Sequence, residues 1–186
     1  MSKIILDLCG GTGAWSRPYW VAGYDVWIVT LPNYDVTQFD PPMPVHGILA
    51  APPCTEFAVS GARWWDIKPS WLLDEAIETV KACLHIIKLC DPRWWALENP
   101  IGRIAKCVPA LGKPAGRFNP CDYGDPWTKK TLLWGRFNMP IKRWVHPTQH
   151  SPDHWHSQDL ASGRKRGELR STTPSGFAFA FFLANP

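Results

Sequence analysis

Ile4-Ile5-Leu6-Asp7-Leu8-Cys9-Gly10-Gly11-Thr12-Gly13 is the stretch that decides the fold. Five apolar or strand-compatible residues run into a glycine-rich turn, and a helix is expected from Trp15, so the segment reads as the opening of a nucleotide-type α/β unit. Working outward, Val26 to Leu31 reads as a second strand and Gly47 to Ala51 as a third, which delivers Pro52-Pro53-Cys54. Trp94 to Leu97 reads as a fourth strand and delivers Glu98-Asn99-Pro100. Each reactive group then sits at the carboxyl end of a strand, where open α/β sheets bind their ligands.

Between the third and fourth strands, Ser70 to Leu89 places Leu72, Leu73, Ala76, Ile77, Val80, Leu84 and Ile87 on one stripe of a helix. Pro69 and Pro92 bound it, and its length suits a crossover between parallel strands. Thr131 to Trp134 adds a further strand. The apolar tail after Pro174 fits a buried helix or a strand equally, because periodicity does not separate the two.

The 186 residues are 45% apolar and 19% charged, which suits one compact domain spanning 1–186 and argues against disorder. No apolar run approaches the roughly 20 residues of a membrane span, and the first residues lack the apolar stretch of a secretion signal, so a cytoplasmic protein is expected. Six cysteines with no Cys-x-x-Cys pair read as reduced thiols. Cys83 and Cys90 are read as small core residues, and Cys54 alone has a context that suggests reactivity.

Charge divides the chain. Residues 1–100 hold seven Lys/Arg against eleven Asp/Glu, net −4, whereas residues 101–186 hold thirteen against five, net +8. The later half is the expected polyanion surface, and aromatic rings interleaved there can stack on bases. His146, His150, His154 and His156 are not read as a metal site, because Pro147 and Pro152 break any helix that would align them.

The chemistry follows from the residue types. Carbon 5 of cytosine is a poor nucleophile, and a thiolate added at carbon 6 pushes electron density onto it. Two prolines fix the backbone ahead of Cys54, and Glu98, on a neighbouring strand, is suited to hold or protonate ring nitrogen 3 if burial raises its pKa.

On these residues the chain resembles the cytosine-5 DNA methyltransferases, in particular the small kind found in bacterial viruses and prophages. Asp7 to Gly13 resembles the family's cofactor motif, Pro52-Pro53-Cys54 its nucleophile motif and Glu98-Asn99-Pro100 its carboxylate motif. The resemblance implies a Rossmann-like, S-adenosylmethionine-dependent methyltransferase fold, a mostly parallel sheet with helices on both faces. It implies DNA as partner, in the cytoplasm of a bacterial or phage-infected cell. By resemblance Cys54 is the nucleophile, Glu98 contacts nitrogen 3 and Asn99 steadies the nucleophile loop. Trp127-Thr128-Lys129-Lys130-Thr131 lies where the family contacts the target base and its phosphates, which makes Lys129 a catalytic candidate and Lys130 and Thr131 DNA contacts. Arg170-Ser171-Thr172-Thr173-Pro174 resembles the last motif, so Ser171 and Thr172 join Asp7, Cys9, Gly11, Gly13, Thr30, Asp35 and Pro52 as expected cofactor contacts.

Three features depart from the family. Cys9 replaces an aromatic residue beside the cofactor adenine, and Thr30 replaces an acid at the ribose. Only about 35 residues separate Gly135 from Ser171, too few for the separate target-recognition domain of longer members. A short or relaxed target is therefore expected, read by Arg136 to Arg170 of this basic insert (135–171), with Arg164, Lys165 and Arg166 as phosphate contacts, and by the loop Thr55 to Lys68, with Arg63, Trp64 and Trp65 beside a flipped base. Two other readings stay open: a relative without catalysis that binds DNA, and an enzyme acting on free deoxycytidine nucleotides.

Overall fold

The computed structural model describes residues 2–149 and 171–186. Its centre is a six-stranded sheet in the order β2-β1-β3-β4-β6-β5. Strands β1 (Ile4–Leu8), β2 (Asp25–Val29), β3 (Gly47–Ala50) and β4 (Trp94–Pro100) run parallel, whereas β6 (Thr131–Arg136) pairs antiparallel with β4 and β5 (Gly116–Phe118) antiparallel with β6.

Side chains alternate between the two faces of each strand, so each face builds its own core. On one face Leu6, Leu8, Ile48, Ala50 and Leu97 pack against Val80, Cys83, Ile86 and Ile87 of α2 (Ser70–Cys90), joined by Ile104 of the short helix α3 (Ile104–Cys107). On the other, Ile5, Leu49, Ala96 and Leu133 pack against Tyr19 of α1 (Arg17–Val21) and Phe177, Ala178 and Phe181 of α4 (Ser175–Ala184).

The expected elements are present with shifted ends. The first helix starts at Arg17, with Ser16 at its cap, and β2 stops at Val29. The crossover helix runs to Cys90 and ends on Asp91 in a left-handed conformation (φ 37°). The fourth strand continues three residues past Leu97, because Glu98, Asn99 and Pro100 pair with Leu133, Leu132 and Thr131. The open tail is a helix. Phe177 and Phe181, four residues apart and fully buried, both meet Trp15, and Phe177 stacks on Phe118 with ring centroids 3.7 Å apart. Burying a phenylalanine contributes about 1.5–3 kcal/mol, and a helix buries this pair while leaving Phe179 between them exposed, whereas a strand would turn all three to one face.

The described start of the basic insert, 137–149, runs without regular secondary structure beside residues 121–126. Arg143 and Val145 donate backbone hydrogen bonds to Asp122 and Cys121, and Lys142 pairs with Asp122 at 3.2 Å. Among the described residues no helix is long and apolar enough to cross a membrane.

Candidate active site

One end of the sheet gathers the reactive groups. The parallel strands β1, β3 and β4 all finish there, and antiparallel β6 starts there, which places Lys129 beside them. The segment 171–173, just before α4, completes the wall. Asp7, Cys9, Gly11, Pro52, Cys54, Glu98, Lys129, Ser171 and Thr172 thus line one cleft.

Asp7 is fully buried and points to the α1 face, where the Ser16 hydroxyl donates a 2.5 Å hydrogen bond to Oδ2. Burial pushes its carboxyl from 3.8 up to about 6, against the downward pull of Ser16. Oδ1 has no partner, and neither has the buried indole Nε1 of Trp15, which lines the same cleft. A Cβ at Gly10 would overlap the Asp7 carboxyl group, so the turn tolerates only glycine at this position. Cys9 holds a left-handed conformation (φ 56°), and its Sγ lies 4.0 Å from Cys83 Sγ on α2.

The nucleophile turn is tied to the sheet from both sides. Cys54 accepts backbone hydrogen bonds from Phe57 and Ala58 at 2.9 and 2.8 Å, and Asn99 donates its side-chain amide to the Pro52 carbonyl at 3.1 Å. Beyond the turn, Ala58 bridges Gly102, flanked by Val59 N–H donating to the Ile101 carbonyl and Arg103 N–H to the Phe57 carbonyl, each at 2.9 Å. A Cβ at Gly102 would strike the Phe57 carbonyl, so this close approach requires glycine. The segments that carry Cys54 and Glu98 are thereby one rigid unit.

Glu98 faces the same side of the sheet as Asp7. Desolvation raises its pKa, and the Lys129 charge opposes part of that rise. Thr131, buried in β6, donates its hydroxyl to the Lys129 carbonyl at 3.1 Å and so fixes the turn that carries the lysine.

Next to this wall lies a cavity of about 620 Å³, within the roughly 300–1,000 Å³ of ligand pockets, and it shares Cys9, Cys54, Lys129 and Ser171 with the cleft. Arg63 and Trp64 line its mouth, the guanidinium 5.2 Å from the ring. Trp65 does not line the cavity. Its ring packs under Arg103 at 4.2 Å, and its buried Nε1 has no partner.

Among the described residues, some expected contacts line neither space. Thr30 and Asp35 are not among the residues lining either space. The exposed Asp35 carboxylate is bound by the Thr37 backbone amide and hydroxyl, which lower its pKa. Gly13 faces a separate hollow with Ile28, and Lys130 is exposed. His150, His154, His156, Arg164, Lys165 and Arg166 lie outside the described residues, and among the described ones no three His, Cys, Asp or Glu side chains form a cluster that could hold a metal ion.

Sequence reading missed Trp15, Ser16, Glu56, Lys68 and Arg103. Ser16 follows the glycine turn and precedes Arg17-Pro18, a recognisable helix-cap pattern; the others join through contacts that no local pattern announces.

No family model matches the chain. The protein is similar to the Type II methyltransferase M.DdeI of Desulfomicrobium norvegicum, 24% identical over 178 aligned positions that cover 70% of this chain and 39% of that protein. A crystal structure of a protein proposed to be a DNA modification methyltransferase encoded within an E. coli prophage superposes with a TM-score of 0.54 at 17% identity, covering 78% of this chain and 52% of that one. The chain thus spans about two fifths of the curated relative and about half of the solved one. The structural likeness shows the fold, an α/β Rossmann-like methyltransferase fold.

Proposed function

We propose that the protein transfers a methyl group from S-adenosylmethionine to carbon 5 of cytosine in DNA, through a covalent adduct with Cys54. The observation that carries this reading is the convergence of a thiol, a carboxyl group with a raised pKa and a lysine in one cleft, beside a turn suited to a charged cofactor. The similarity to a DNA methyltransferase and the +8 charge of the later half support it.

The residues present fit the cofactor. The unpartnered Asp7 Oδ1 and Trp15 Nε1 are an acceptor and a donor on one wall, the pair that an amino-acid ammonium and carboxylate require. Gly11 keeps the turn open, since a Cβ there would meet nothing within 4 Å, and Cys9, Pro52, Ser171 and Thr172 supply the remaining wall. S-adenosylmethionine bound there supplies an electrophilic methyl on a sulfonium.

The chain's own residues do the rest. Cys54 Sγ adds to carbon 6 as a thiolate, and Glu98, kept protonated to higher pH than an exposed glutamate, donates to nitrogen 3 and neutralises the charge that develops on the ring. Lys129 sets how readily Glu98 gives up that proton. Asn99 holds the Pro52 carbonyl and with it the Cys54 backbone. Once carbon 5 is alkylated, a base takes its proton, Cys54 departs from carbon 6 as the thiolate, and nitrogen 3 returns its proton to Glu98, which restores the aromatic ring and the starting state of both side chains.

The target base must leave the stack to reach this cleft, and Trp64 at the cavity mouth is placed to face the gap. With about 35 residues between Gly135 and Ser171, the target is short or relaxed, and the setting is the cytoplasm of a bacterial or phage-infected cell.

DNA containing 5-fluorocytosine tests the adduct, because the fluorine cannot leave as a proton does and the covalent complex is held. With S-adenosylmethionine present, a complex stable to denaturant is expected from the wild type and none from Cys54→Ser. A complex of equal yield from both proteins would exclude Cys54 as the attacking group.

A further inference from the structure

Glu56, two residues past the nucleophile, is 7% exposed, and its Oε1 pairs with Lys68 Nζ at 2.6 Å. Lys68 in turn lines the cavity with Cys54 and Lys129. The pair closes the loop that follows Cys54: Glu56 stands at its start and Lys68 at its end. Arg103 fastens the same loop from beneath, its Nε donating to the Glu56 carbonyl at 2.9 Å while its guanidinium covers Trp65.

Stability does not explain why the lysine is there. A buried carboxylate and a partly buried ammonium lose hydration, and replacing such a pair with apolar side chains of similar volume is often neutral or stabilising. The loop already has its backbone ladder to residues 101–103 and the Arg103 clamp. An ammonium at the cavity wall has a different use, since it offers three donors and Glu56 occupies one in the described structure.

Resting on the reading of the cavity as a DNA site, we propose that Lys68 is a DNA-binding residue that takes a phosphate oxygen next to the target nucleotide, with Glu56 holding the ammonium in place. A carboxylate partner fixes the direction of a flexible side chain before the anion arrives, so less rotamer entropy is lost on binding. Neutralising one phosphate releases counterions, and this gives the contact a signature that a purely structural lysine lacks.

The test measures binding of mixed-sequence duplex and single-stranded DNA across a salt series by fluorescence anisotropy, with the melting temperature of every protein recorded. Lys68→Gln is expected to weaken low-salt binding roughly tenfold. It should reduce the slope of log affinity against log salt by about 0.9 on duplex or about 0.7 on a single strand. Lys68→Arg should keep the wild-type slope, and Glu56→Gln should lower the melting temperature while the slope stays unchanged. A Lys68→Gln protein with the wild-type slope and a melting loss equal to that of Glu56→Gln would reduce Lys68 to a loop prop. If the wild type itself showed no salt-dependent DNA binding, the DNA reading of the cavity would fall, and this assignment with it.

Discussion

Asp7→Asn should make the protein more stable at neutral pH and poorer at holding its cofactor. Asp7 is completely buried, and its carboxyl titrates at about 6 in the folded protein against 3.8 as an ordinary side chain, an interval of about 2.2 pH units. Because the folded value is the higher one, the folded protein binds the proton more tightly than the unfolded chain. The contribution to stability is therefore full below about pH 4, falls as pH rises through the interval, and is a constant penalty above about pH 6. At 1.36 kcal/mol per unit the penalty reaches about 3 kcal/mol. Asparagine removes the charge while its carbonyl can still accept the Ser16 hydroxyl. At pH 8 the variant should gain up to about 3 kcal/mol, or roughly 6–12 °C in melting temperature for a chain of this size. Urea unfolding of both proteins from pH 4 to 8 is the assay. The wild type should lose stability between pH 4 and 6 more steeply than the variant, while calorimetry shows the variant with weakened S-adenosylmethionine binding. Parallel stability curves would refute the claim that an unpaired carboxylate is stored at the end of β1.

Three further outcomes are expected. Asn99→Ala leaves the buried Pro52 carbonyl without its donor, which should cost about 1–3 kcal/mol in urea unfolding and lower the rate of methyl transfer. Gly102→Ala drives a methyl into the Phe57 carbonyl, so it should destabilise by about 1–3 kcal/mol and separate the Cys54 turn from β4, seen as faster amide exchange at Val59 and Arg103. Lys129→Ala removes the charge that holds the Glu98 pKa down; the Glu98 titration, followed by carboxyl-carbon NMR, should move to higher pH, and an unmoved or lowered titration would disconnect the two residues.

How much of this was legible depended on whether the signal was local. β1, β2, β3 and α2 each carry their own apolar pattern, and the structure moves their ends by only a residue or two. β4 was read too short because Glu98, Asn99 and Pro100 look like a turn; they stay extended only because Leu133, Leu132 and Thr131 lie opposite. The three-residue β5 has no periodicity to detect, and the tail became a helix through Trp15 and Phe118, contacts invisible in one dimension.

The candidate site divides in the same way. Cys54, Glu98 and Asp7 sit on strand ends, so placing the strands placed them. Glu56 and Lys68 are twelve residues apart, and a Glu and a Lys at that distance form no pattern; only the fold of the loop brings them together. Thr30 and Asp35 are assigned only by their position after β2; neither lines the cleft, and Thr37 takes up the Asp35 carboxylate.

The most direct test of the account is transfer of isotope-labelled methyl from S-adenosylmethionine to mixed-sequence DNA, with the product base identified by mass spectrometry and Cys54→Ser run beside the wild type. The account expects label in 5-methylcytosine from the wild type and none from the variant. Label on a nitrogen of cytosine or adenine, or 5-methylcytosine formed undiminished by Cys54→Ser, would contradict it.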